Sequence, residues 1–207
     1  MYQPELGRFL QPDPKQFAAG DYNLYRYCHN DPVNHSDPMG LYSRGTGFTD
    51  EQWKKFDRAQ QNAAARLEKA SAKMDPKVFE KVFGKGSATP ENMAKVQHTM
   101  QGMAAALRDN TAGHVANAFS DPNSSTLGTG RVNGTTITIN VGNKLFDSRV
   151  TLTQTVGHES GHNLGLDHGR GDAAAYRFGN AAQKEVYKNL PTADRLKNPD
   201  NYMEFAP

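Results

Sequence analysis

The chain has 207 residues, a formal net charge of +2 and a single cysteine. That length holds one domain of ordinary size plus an appendage, the near-balanced charge offers no electrostatic case for nucleic acid, and one thiol, Cys28, excludes an internal disulfide framework. No apolar run approaches the ~20 residues of a membrane span, and no charged stretch followed by an apolar one marks a secretory signal. With 36% hydrophobic residues and 19 glycines, the composition predicts a small core with long loops. A bound metal ion would stabilise such a core.

Residues 1–41 are cut by Asp-Pro steps at 13–14, 31–32 and 37–38 and carry Tyr22, Tyr25 and Tyr27. The residue before a proline is pushed out of the helical region, so this stretch predicts turns and short strands. It is too short for a core of its own. Pro4-Glu-Leu-Gly-Arg-Phe-Leu-Gln-Pro-Asp-Pro14, Asn23-Leu-Tyr-Arg-Tyr27, Asn30-Asp-Pro-Val-Asn34 and Asp37-Pro-Met-Gly-Leu41 together resemble the end of the RHS repeat-associated core of bacterial polymorphic toxins. The resemblance implies an upstream RHS shell and a self-cleavage junction after Leu41 that uses Asp13 and Asp37. Asp37-Pro-Met-Gly40 matches the family's second cleavage element, and Asp13-Pro-Lys-Gln16 matches the first with Gln16 in place of glycine. It also implies that residues 42–207 are a toxin domain, made in the bacterial cytoplasm and delivered by a secretion system into a target cell. A cognate immunity protein is the expected partner.

Phe48-Thr49-Asp50-Glu51-Gln52-Trp53 reads as a helix start, with Thr49 and Gln52 as a capping box and Phe48 stapled on Trp53. Trp53, Phe56, Leu67, Ala70 and Met74 keep helical spacing to about residue 74. Asp75-Pro76 opens a short helix carrying Val78, Phe79 and Phe83, closed by Gly84. Thr89-Pro90 opens a third, with Met93, Val96, Met100, Met103 and Leu107 as its core face.

Asp121 to Ser125 is a loop, and Asn133-Gly134 is a two-residue hairpin turn signal. It leads into Thr135 to Val141, where Ile137, Ile139 and Val141 alternate with polar residues as in a half-buried strand. Asp147 or Ser148 then caps a helix bearing His158 and His162. Four residues apart, those two imidazoles share one helix face and can reach one metal ion. Glu159 can serve as general base for a metal-activated water without itself binding the metal. Gly165 permits an abrupt exit from the helix, and the turn can return His168 as a third ligand. Three protein ligands leave a fourth position for water, the arrangement of a catalytic zinc site.

His158-Glu-x-x-His162-x-x-Gly165-x-x-His168 resembles the signature of the metzincin zinc peptidases, and Gly-His-Asn-Leu-Gly-Leu-Asp-His resembles the matrix metalloproteinase form of it. The resemblance implies an α+β, mostly helical zincin-like domain with a small β-sheet or hairpin. It implies an edge strand that binds substrate in extended form, for which the 135–141 strand is the candidate. Met203 is the candidate for the methionine turn beneath the metal. Tyr176 and Tyr202 are candidate hydrogen-bond donors to the transition state, as several zincins require. A fainter resemblance to aspzincin peptidases, in Gly171-Asp172 and Asn201-Tyr-Met-Glu-Phe-Ala206, makes Asp172 the alternative third ligand. Asp172 also opens a run expected to be helical to about Leu190, and a short final helix or turn covers 194–205.

The expected function is therefore a zinc-dependent endopeptidase acting as a bacterial toxin on a protein or peptide substrate. The alternative is a metal-stabilised binding module that sequesters its target without cleaving it.

Overall fold

The computed structural model describes residues 2–3, 8–9, 42–108, 113–169 and 173–207. Asp13, Cys28, Asp37 and Asp172 lie outside the described residues. Near the N-terminus, β1 (Tyr2–Gln3) and β2 (Arg8–Phe9) form an antiparallel pair. The rest is an α+β body.

Helix α1 (Asp50–Ala72) begins where its caps dictate. Thr49 Oγ1 accepts from the Gln52 amide at 3.3 Å, and Gln52 Oε1 accepts from the Thr49 amide at 2.9 Å. Phe48 meets Trp53 edge-on, with ring centroids 5.4 Å apart, and so fixes the entry angle. Phe56, Ala63 and Leu67 on its inner face are fully buried.

Helix α2 (Pro76–Phe83) is capped by Asp75 and buries Phe79, Val82 and Phe83. Val78, on the same helix, is 42% exposed. Residues 79, 82 and 83 form one helical stripe, and position 78 falls off it. In α3 (Pro90–Arg108) Val96, Met100, Met103 and Leu107 are fully buried, so the methionine stripe is a core face. Helices α1 and α3 pack side by side.

The sheet contains β3 (Ser43–Arg44), β4 (Val115–Phe119), β5 (Gly128–Gly130) and β6 (Thr136–Asn140), in the order β3-β4-β6-β5. Strands β3, β4 and β6 run parallel, and β5 is antiparallel to β6. Ile137 and Ile139 point into the core as the alternation requires. The expectation that this strand forms the sheet edge is corrected: β6 lies between β4 and β5, and the edge strands are β3 and β5. The turn is also corrected. Gly134 N donates to Arg131 O at 2.9 Å, which places Val132 and Asn133 at the centre. Asn133 takes the positive φ, 54°, a conformation asparagine tolerates better than most residues.

Ser148 caps α4 (Arg149–Asn163), accepting from the Thr151 amide at 3.3 Å. This helix packs on α1, on α3, under β5, and against the last helix. Helices α5 (Ala181–Lys188), α6 (Thr192–Arg195) and α7 (Pro199–Phe205) follow. The helix expected from Asp172 to Leu190 is corrected: residues 173–180 form turns and bends, and α5 starts afresh at Asn180, whose side chain and that of Gln183 make a second capping box. The preceding strap is held by hydrogen bonds to α7 rather than by its own helix. No helix among the described residues is long and apolar enough to cross a membrane.

Candidate metal centre

The site is assembled from three pieces of local structure. Helix α4 supplies His158, Glu159 and His162. It then ends in a Schellman turn: Leu166 N donates to Gly161 O at 3.0 Å, and Gly165 N donates to His162 O at 2.9 Å. Gly165 sits at φ 88°, which a side chain would resist. This reversal returns His168 to the face it left. The second piece is the strap 173–180, which lays Tyr176 on His168 with ring centroids 3.9 Å apart. The third is α7, which brings Asp200 and Met203 beneath.

The three imidazole rings stand 4.8 to 5.0 Å apart, centre to centre. Their ligand nitrogens all lie within 4.8 Å of one another, so the group can hold a metal ion. Every Nδ1 faces an acceptor. His162 Nδ1 meets Leu166 O at 2.7 Å, His168 Nδ1 meets Ala175 O at 3.1 Å, and His158 Nδ1 meets Asp200 Oδ1 at 3.0 Å. A carbonyl or carboxylate only accepts, so each Nδ1 carries the proton and each Nε2 presents a lone pair inward. His158 Nε2 and His168 Nε2 are 2.9 Å apart. Two lone pairs at that separation repel unless a proton or cation lies between them. The donor set therefore fits a cation that accepts neutral imidazole.

The electrostatics run in opposite directions at these two rings. Burial lowers the pKa of His158, but the Asp200 hydrogen bond and the charges of Glu159 and Asp200 outweigh it, and the net shift is upward. His168 is pushed down to about 4, first by burial and then by the adjacent His158. Asp200 is itself shifted down: burial opposes its charge, and the His158 hydrogen bond and charge overcome that, so it stays ionised.

Glu159 follows the first histidine, with its side chain 8% exposed and Oε2 4.0 Å from His162 Nε2. Strand β5 passes directly over it. A Cβ added at Gly130 would stand 2.6 Å from Glu159 O and 3.1 Å from its Oε2. At Gly128 a Cβ would stand 2.6 Å from Thr155. Only a strand without side chains on that face can approach α4 so closely. The result is a cleft of about 850 Å³ lined by His158, His162, Glu159 and Tyr176 and by the residues of β5.

The other expected site residues divide. Met203 lines the cleft and packs against Gly157, beside the first histidine. Tyr176 lines the cleft, and its pKa is raised by burial and by the charges of Glu159, Asp200 and Asp167, so its hydroxyl keeps its proton. Tyr202 does not join the site. It is fully buried and donates to Leu196 O at 2.8 Å, a core role.

Asp200 and the β5 glycines are the participants that sequence reasoning missed. Asp200 sits in Asn198-Pro-Asp200, which reads as an ordinary helix start. Gly-Thr-Gly carries no strand alternation, although paired glycines at a spacing of two are a signal of close backbone approach. No protein-family model matches the chain, and no curated protein matches it.

Proposed function

We propose that the chain is a zinc-dependent endopeptidase with a zincin-like catalytic domain, deployed as a bacterial toxin. The observation that carries this reading is the grouping of three imidazoles whose ligand nitrogens lie within 4.8 Å of one another, each with Nδ1 facing an acceptor, with the Glu159 carboxylate alongside and a cleft before them. Zinc bound there would lower the pKa of a water toward ~7 and polarise the scissile carbonyl.

The residues of the chain do the rest. His158, His162 and His168 would hold the ion. Glu159 takes the proton from the attacking water and returns it to the leaving amine. Tyr176, held protonated, donates a hydrogen bond to the developing oxyanion. The free edge of β5 offers backbone groups to an extended peptide, giving affinity with little demand on side chains. The toxin assignment rests on the resemblance of residues 1–41 to the RHS core. With it come self-cleavage by Asp13 and Asp37, delivery into another cell and an immunity protein that covers the cleft.

Removal and return of the metal test this reading. Chelator-treated protein should not cleave an unfolded, fluorescence-quenched casein, and one equivalent of zinc should restore cleavage. The restored activity should fall on acidification, because each ligand must be neutral to bind. Undiminished cleavage by the stripped protein would refute it.

A further inference from the structure

We propose that Asp200 is a positioning residue that joins the metal centre to the strap 173–180, so that metal affinity and closure of the strap form one coupled equilibrium. The inference rests on the metal-site reading but not on peptide cleavage.

The Asp200 carboxylate is nearly buried and has two donors. Oδ1 faces His158 Nδ1 at 3.0 Å, and Oδ2 accepts from the Arg177 backbone N–H at 2.9 Å. Oδ2 also lies 4.0 Å from His168 Nδ1. One side chain thus fixes the ring orientation of the first ligand and the backbone of the segment lying over the third. Helix α7 strengthens the second link. Glu204, one turn on from Asp200, pairs with the Arg177 guanidinium at 3.3 Å. Asn198 Nδ2 donates at 2.7 Å to Ala175 O, the same carbonyl that receives His168 Nδ1. The strap in turn holds Tyr176 against His168. If His158 turned away, Oδ1 would lose its donor. If the strap opened, Oδ2 and Ala175 O would lose theirs. Each event removes support from the other, which is the physical content of the coupling.

The chemistry suggests a sharp variant. The two donors meet different oxygens of the carboxylate, and an asparagine amide keeps only one of them. Asp200→Asn is close to isosteric, but it leaves either His158 Nδ1–H or Arg177 N–H facing an NH₂ group. Zinc affinity, read by competition with a fluorescent chelator, should fall by ~10–100-fold, the usual cost of losing such a partner. Hydrogen exchange in residues 173–180 of the zinc-loaded full chain should quicken, and the His158 Nδ1 proton resonance should shift or vanish. Glu204→Gln loosens the strap at Arg177 without touching His158, so it should lower zinc affinity too, but by less than Asp200→Asn; faster exchange in 173–180 of this variant with zinc affinity unchanged would overturn the coupling. Zinc affinity of Asp200→Asn within twofold of the parent, in a variant that melts normally, would overturn the proposal. So would a weakened zinc site with unchanged exchange in the strap, because the coupling would then be absent.

Discussion

Replacing Glu159 with glutamine should abolish peptide cleavage while leaving zinc content unchanged. The amide fills the same space between β5 and α4, so the contact with Gly130 survives. It cannot take up a proton at neutral pH, and loss of a general base costs typically ~10²–10⁴ in rate. Because the same group would also reprotonate the leaving amine, the effect should sit in kcat rather than KM. Zinc should stay because Glu159 is placed beside the histidines rather than among them, with Oε2 4.0 Å from His162 Nε2. The measurement is metal content together with single-turnover cleavage. Normal cleavage by Glu159→Gln would remove the peptidase mechanism and favour the metal-stabilised binding module, which has no use for a base.

The second large effect is expected from His162→Ala. This residue is 7% exposed and performs two tasks. Its Nε2 is a ligand under the proposed function, and its Nδ1 meets Leu166 O at 2.7 Å inside the turn that returns His168. Truncation removes one ligand and leaves a buried carbonyl unpaired, which costs ~1–3 kcal/mol on its own. The parent protein should melt higher with added zinc, since a ligand that binds only the folded state stabilises it in proportion to RT ln(1 + [L]/Kd). His162→Ala should melt lower than the parent and show almost no zinc response. An unchanged zinc-induced shift in the variant would mean that the ion binds elsewhere.

Much of the site was legible in the chain because its chemistry is local. His158 and His162 share a helix face by spacing alone, Gly165 marks the reversal, and His168 follows within three residues of it. Helix starts were equally readable where side chains cap them, as at Thr49, Asp75 and Ser148. What escaped was long-range. Nothing near Asp200 announces that α7 will lie under α4 and bring its carboxylate to His158, 42 positions earlier in the chain. The alternation of Ile137 and Ile139 marks a strand but not its neighbours, so the interior place of β6 and the edge place of β5 depend on pairing that sequence does not display. Helical periodicity in 173–190 was a false signal for its first half, because hydrogen bonds from Arg177 to Asp200 and from Asn198 to Ala175 compete successfully with a continuous helix.

The most direct single test is the zinc X-ray absorption spectrum of the protein loaded with one equivalent of metal. Convergence of His158, His162 and His168 predicts three nitrogen ligands at ~2.0–2.1 Å, the outer-shell scattering of three imidazole rings behind them, and one further light atom from solvent completing the sphere. Two imidazoles or fewer, or a sphere closed by four protein side chains, would contradict it.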